Sequence, residues 1–148
     1  MTIENQQDRH PASLAREFGL QFLYQMEADK VFYFSLSHFE HFVRHFEVAI
    51  KAQQTFQTLV QGVLGEMDKV DDALSKASTN WSVERMPAID RALLRIAVYE
   101  LLEGQTPPKV VLNEAIELAK KYGTEQSGPF VNGILATVAK NLGTSRIT

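Results

Sequence analysis

Ile89-Asp90-Arg91-Ala92-Leu93-Leu94-Arg95-Ile96-Ala97-Val98-Tyr99-Glu100-Leu101 is the stretch whose pattern decides the fold class. Ile89, Leu93, Ile96 and Ala97 recur at helical spacing and mark a core face. Pro87 stands where a proline opens a helix as its first residue, and Gly104 follows as a C′ residue able to turn left-handed. Thr106-Pro107-Pro108 then forces an extended connection, because proline cannot continue a helix and restrains its predecessor. Beyond it Val111, Ala115, Leu118, Ala119 and Tyr122 give another helix, stopped by Gly123. Ser127 is placed to cap a last one that carries Phe130, Val131, Ile134, Leu135 and Val138, with Gly143 beyond.

The same period runs upstream. Ala15, Phe18, Gly19, Phe22 and Met26 share a stripe widened by Leu20 and Leu23, predicting a helix from about Ser13 to Asp29. The residues before it, 1–12, read as a flexible N-terminal arm. Ser37-His38-Phe39-Glu40 has the form of a capping box, with Ser37 as N-cap and Phe39, Phe42, Val43 and Phe46 behind it. The longest pattern is Phe56, Leu59, Val60, Val63, Leu64, Met67, Val70 and Leu74. Gly62 and Gly65 interrupt it, so a kink or break is expected near Gly65. No segment reads convincingly as a strand. Six or seven helices with short connections predict an all-α domain spanning 1–148.

Composition narrows the function. The 148 residues include 15 basic and 18 acidic side chains, for a net charge of -3. A chain that coats nucleic acid by bulk charge would differ, so any such role needs a local patch. Residues 1–104 hold 10 basic and 15 acidic residues, and 105–148 hold 5 and 3, leaving the C-terminal third mildly positive. The acidic run Glu66, Asp68, Asp71 and Asp72 reads as a solvated helix face. With no cysteine there is no disulfide framework, thiolate metal site or cysteine nucleophile. No apolar run approaches the ~20 residues of a membrane span, and MTIENQQDRH lacks a secretory signal's apolar core. A cytoplasmic protein is expected.

Few residues carry chemistry. His38, His41 and His45 cluster on a helix side away from the phenylalanines, and an i, i+4 pair can hold zinc. Without convergent further ligands they read as an exposed, titrating face, and no metal or cofactor is expected. No strained Gly-x-Ser-x-Gly turn or phosphate-binding glycine loop exists, and the adjacent carboxylates Asp71 and Asp72 point apart on a helix. No catalytic residue is identified, and an enzyme is not expected. Lys120 and Lys121 end one helix and Phe130 opens the next, where free N–H groups suit phosphate and an aromatic can stack a base. The lysines can equally complement a helix dipole while Phe130 serves the core, and spacing favours that plainer account. Asp90, Arg91 and Arg95 mark the polar side of their helix. Whether Asp90 and Arg91 contact a partner protein is left open by spacing.

The quoted stretch, its continuation Pro108-Lys109-Val110-Val111-Leu112-Asn113-Glu114-Ala115-Ile116-Glu117-Leu118-Ala119-Lys120-Lys121-Tyr122-Gly123, and Phe130-Val131-Asn132-Gly133-Ile134-Leu135 together resemble the NusB family of transcription antitermination factors. Ala15-Arg16-Glu17 with Gln21, Leu23 and Tyr24 matches the family's first helix, and Asn80-Trp81 before Arg85 matches its mid-chain turn. The resemblance spans essentially the whole chain and is strongest from Trp81 onward. It implies two small helical bundles and a non-enzymatic role. It also implies pairing with NusE, a small-subunit ribosomal protein, and binding of boxA-type RNA in ribosomal leaders. The complex would act on RNA polymerase in antitermination and aid ribosome assembly.

Residue by residue, the resemblance assigns Tyr24 and Asp90, with Arg91 beside it, to holding NusE. Phe130 matches an RNA-contacting aromatic, Arg9 and Arg16 are what remains of an RNA-gripping arginine run, and Lys120 and Lys121 join them as candidate RNA contacts from the helix-end reading. One departure matters: where the family carries an arginine run, this chain has Arg9-His10-Pro11-Ala12-Ser13-Leu14. Gln126 likewise stands where relatives often have Asp or Asn. Phosphate contacts dominate affinity, so losing two or three arginines should cost much of the RNA affinity. The alternative is therefore a protein-interaction module, or a homodimer that covers the RNA face. NusB-like domains also occur fused to an rRNA cytosine methyltransferase, but residues 1–148 leave no room for a cofactor-binding α/β domain.

Overall fold

A computed structural model describes residues 3–143 of the chain. Among these residues the regular structure is helical throughout: α1 Pro11–Asp29, α2 Leu36–His45, α3 Ile50–Gly65, α4 Met67–Ala77, α5 Ala88–Glu103, α6 Pro108–Tyr122 and α7 Ser127–Asn141, with short 3-10 turns at Gln6–Asp8 and Val83–Arg85. The all-α expectation holds. The chain divides into two compact units, Met1–Gly65 and Glu66–Thr148.

The first unit is built on phenylalanine. Phe18 and Phe22 of α1, Phe42 of α2 and Phe56 of α3 are fully buried. Phe22 meets Phe42 edge-on at 5.2 Å and Phe56 at 5.7 Å, and Phe39 lies 4.8 Å from Phe56. Edge-to-face pairs of this kind are each worth about 0.5–1.5 kcal/mol beyond the area they bury. The cluster ties three helices whose individual stripes could not stand alone.

Several boundaries differ from those the sequence suggests, each for a local reason. Within the expected N-terminal arm, residues 3–12 are described and part of the segment is anchored. Ile3 is buried, and the Gln6 side chain donates to the Glu47 carbonyl (3.0 Å) and accepts from the Ala49 N–H (2.8 Å). Helix α1 begins at Pro11, not Ser13, because His10 acts as N-cap by accepting the Ala12 N–H on Nδ1 at 3.0 Å. The N-cap of α2 is Ser35 rather than Ser37: Ser35 holds the extended backbone, and its hydroxyl accepts the His38 N–H at 3.4 Å. His38 is not on a fully solvated side, since its ring lies 5.3 Å from Phe22; His41 and His45 are exposed, their rings 6.2 Å apart.

The second unit contains α4 to α7. The expected break falls at the expected place, with α3 ending at Gly65 and α4 starting at Met67. Pro87 proves to be the N-cap of α5 rather than its first residue, and Pro108 is the first residue of α6. Gly104 ends α5 at φ +73°, the left-handed conformation that a side chain resists. The acidic run is only partly a solvated face. Asp72 pairs with Lys76 at 2.9 Å on the surface, but Asp71 accepts both Nε and an Nη of Arg95, each at 3.0 Å, and so joins α4 to α5. The two adjacent carboxylates thus serve different cations. No helix among the described residues is long and apolar enough to cross a membrane.

Candidate nucleic-acid interface

Two neighbouring polar residues on α5 lie beneath a surface cleft. Asp90 and Arg91 do not line a solvent-facing side, as the helical pattern suggested; both are buried. A buried guanidinium must place its N–H groups, and Arg91 Nη1 does so on the carbonyls of Val83 (3.2 Å), Glu84 (3.3 Å) and Met86. Those carbonyls belong to the turn that follows Trp81. Ser78 secures the same segment from its other end, its hydroxyl donating to the Trp81 carbonyl at 2.9 Å.

Asp90 reaches the other way, to the start of α7. It is 3% exposed, its Oδ1 is buried without a hydrogen-bond partner, and the Ser127 side chain acts on the carboxylate. Ser127 is the first residue of α7, not its cap; its Oγ also accepts the Thr124 N–H at 3.0 Å, closing the α6–α7 turn. Burial raises the Asp90 carboxyl above its ordinary pKa, and the Ser127 hydrogen bond opposes this in part. Gly123 is required where the turn is tightest, because a Cβ there would lie 2.3 Å from Ser127 Oγ and 2.8 Å from the Ala119 carbonyl oxygen.

Between the two held segments lies a cleft of about 300 Å³ walled by Trp81 and Phe130, with Asn80 and Thr79 at its polar side. The two rings meet at 6.2 Å and a steep angle, and Trp81 is 48% exposed. Phe130 is half-buried, intermediate between the stacking and the core roles open to it. The Lys120 stem lies along the first turn of α7, its Cγ 3.9 Å from where a Gly128 Cβ would stand. Its exposed ammonium makes a loose pair with Glu117 at 3.7 Å. Lys121 is exposed and sits 5.4 Å from the Tyr122 ring centre. Lys120 thus packs on the Gly128 side of the first turn of α7, and Phe130 follows two residues later.

The N-terminal arginines are placed differently. Arg9 Nη1 donates to Glu17 Oε1 at 2.6 Å, and Glu17 is 1% exposed, so Arg9 neutralises a buried carboxylate. Arg16 is itself buried. Tyr24, by contrast, is 45% exposed on α1, and Phe32, Tyr33 and Leu36 are exposed in the chain that follows. No three His, Asp or Glu side chains among the described residues converge as a metal site requires. Trp81 lines the cleft although helical periodicity passed over it: a single tryptophan in a Ser-Thr-Asn turn sits outside every helical stripe, and only the resemblance at Asn80-Trp81 marked it.

Comparison with known proteins places this geometry. The NusB family profile matches residues 13–140. The transcription antitermination protein NusB of Anaeromyxobacter dehalogenans is 47% identical over 134 residues, covering 89% of this chain and 92% of that protein. T. maritima NusB has the same fold, with a TM-score of 0.77 and 34% identity over 89% of this chain and 92% of its own. The antitermination factor NusB in a crystal structure with NusE and dsRNA has a TM-score of 0.78 and 25% identity, covering 88% of this chain and 97% of that one. With a family match over most of the chain, close relatives of equal length and the fold in agreement, this chain belongs to the NusB family.

Proposed function

We propose that the chain is a transcription antitermination and ribosomal-RNA biogenesis factor. In this reading it binds boxA-type leader RNA together with NusE, works within the RNA polymerase antitermination complex, resides in the cytoplasm and performs no catalysis. The observation that carries the reading is the start of α7 in a chain of this family. There Phe130 lines a surface cleft and the Lys120 stem lies against Gly128, so that one helix turn carries an aromatic suited to a base and a cation suited to a phosphate. The complex of a NusB with NusE and dsRNA supports the choice of partners. Tyr24, exposed on α1, is the residue assigned to the NusE contact; Asp90 and Arg91 act from beneath the surface by holding its walls.

Arg9 and Arg16 contribute less than the resemblance implies, because one neutralises Glu17 and the other is buried. Lys120 and Lys121 then remain the principal phosphate partners. A labelled boxA-type RNA, followed by fluorescence anisotropy with and without NusE at several salt concentrations, tests this. Binding should strengthen with NusE, and two phosphate contacts to a single strand predict a log–log salt slope of about -1.4. Failure of the chain to bind NusE at micromolar concentration, or of the assembled pair to bind RNA, would overturn the reading.

A further inference from the structure

We propose that the groove between α2 and α3 docks an extended peptide segment of a partner protein, recognised through its backbone by the side-chain amides of Gln53, Gln54 and Gln57. The proposal does not depend on the RNA-binding reading and concerns the first unit alone. The groove encloses about 530 Å³. Leu36 and Ile50, the first residues of α2 and α3, line it with Val43, and buried Phe39 closes it from below. Ile50 is 87% exposed and Leu36 54%. Apolar residues scattered singly over a surface need no explanation, but these share one concavity.

The amides select the occupant. Gln53 Nε2 donates to the Val48 carbonyl at 3.0 Å and Gln54 Nε2 to Thr58 Oγ1 at 3.1 Å, bonds that orient both side chains and leave each Oε1 to accept. Gln57 makes no side-chain hydrogen bond among the described residues. A peptide backbone supplies the matching N–H and C=O groups. In an extended chain they recur on one side about every 6.6 Å, close to the ~6 Å that an i, i+4 step advances along α3 from Gln53 to Gln57. A helical ligand has already spent those groups internally. The same groove of a second copy offers only helical backbone. Charge narrows the choice further: Glu40 and Arg44 line the groove one turn apart on α2, both exposed, and neither enters an ion pair among the described residues. A segment carrying one basic and one acidic side chain complements them, whereas a nucleic acid would meet the Glu40 carboxylate.

A peptide library displayed on phage and panned against the whole chain supplies the probes. Selected sequences should carry apolar residues at i, i+2 spacing between a basic and an acidic residue. Each is synthesised with blocked ends, labelled and titrated by fluorescence anisotropy. Gln57→Leu should weaken binding by roughly 5- to 150-fold, the loss of two hydrogen bonds. Methylating a groove-facing peptide nitrogen should do the same with every side chain retained. Glu40→Gln and Arg44→Gln should each weaken binding and flatten its salt dependence. Thr55→Ala, exposed on α3 outside the groove, should change nothing. Apolar spacing of i, i+3 and i+4, with tolerance of backbone methylation, would overturn the extended occupant. Peptides indifferent to Gln57→Leu and Glu40→Gln would overturn the groove itself. Displacement of the peptide by NusE would make the groove part of the NusE contact and overturn it as a separate partner site. The Gln57→Leu chain should bind NusE and boxA-type RNA as wild type does, so a failure of that reading appears independently of this one.

Discussion

Replacing Arg91 with methionine tests whether the cleft is held from within. The substitution keeps an apolar stem of similar reach and removes every donor. In the native structure Nη1, with two hydrogens, serves three carbonyls, two of them at 3.2 and 3.3 Å. Two bonds from a charged donor, at about 1.5–3 kcal/mol each, set an upper bound near 6 kcal/mol. Removing a buried charge returns part of its desolvation cost, and water reaches the exposed Glu84 side of the turn, so a loss of about 2–4 kcal/mol is expected. For a chain of this size that corresponds to a fall of roughly 5–15 °C in the unfolding midpoint. Urea unfolding followed by Trp81 emission reads both consequences, since the tryptophan belongs to the same unit and directly precedes the turn. Native emission should shift as the turn loosens, and Arg91→Lys should recover only part of the loss, because an ammonium cannot reproduce the guanidinium fork. Wild-type stability in Arg91→Met, with unchanged emission, would refute the claim that Arg91 positions this segment.

The Asp90 carboxyl has a raised pKa in the folded chain, so the folded state holds its proton more tightly than the unfolded chain does. Its contribution to stability is fully present below the unfolded value of 3.8 and is lost as pH rises through the folded value. The stability of wild type relative to Asp90→Asn should therefore increase as pH is lowered through that window, and a flat difference in denaturation curves from neutral pH to 3.8 would contradict it. Gly123→Ala should cost about 1–3 kcal/mol, because the clash with the Ala119 carbonyl is with backbone and no rotamer relieves it; an unchanged thermal midpoint would show that the α6–α7 turn gives way freely. Lys120→Ala should reduce the salt slope of RNA binding by about 0.7, whereas Arg9→Ala should lower stability and leave that slope nearly unchanged; the reverse pattern would return the phosphate role to the N-terminus. Phe56→Ala should destabilise the first unit by about 3–5 kcal/mol, measured by amide exchange within α1 to α3, and a loss below 1 kcal/mol would disprove a shared aromatic core.

Much of the architecture was legible along the chain. The α5 face of Leu93, Ile96 and Ala97, the break at Gly65 and the stop at Gly104 all follow from helical periodicity and backbone limits, which act over a few residues. Helix starts were read less well, because capping depends on which of several nearby hydroxyls the turn presents. Ser35 and Ser37 stand two residues apart, and only the chain's entry into α2 selects Ser35. Lys120 and Phe130 were legible as lying at a helix end and early in the next helix, because those positions are close in sequence.

What sequence pattern could not reveal was the direction in which the polar groups act. Arg91 and Asp90 look like surface contacts when charge is counted as polar, yet both are buried, and Arg91 finds its partners in carbonyls of the preceding turn. Arg9 likewise looks like a phosphate ligand until Glu17 is seen buried beneath it. Local periodicity thus determined which segments are helical and which faces are apolar, because those depend on spacing alone. The tertiary structure decided which charges are used up inside and which stay exposed, and it brought Trp81 beside Phe130 across nearly fifty residues of chain. Satisfaction of buried polar groups depends on long-range partners, and no short-range pattern encodes them.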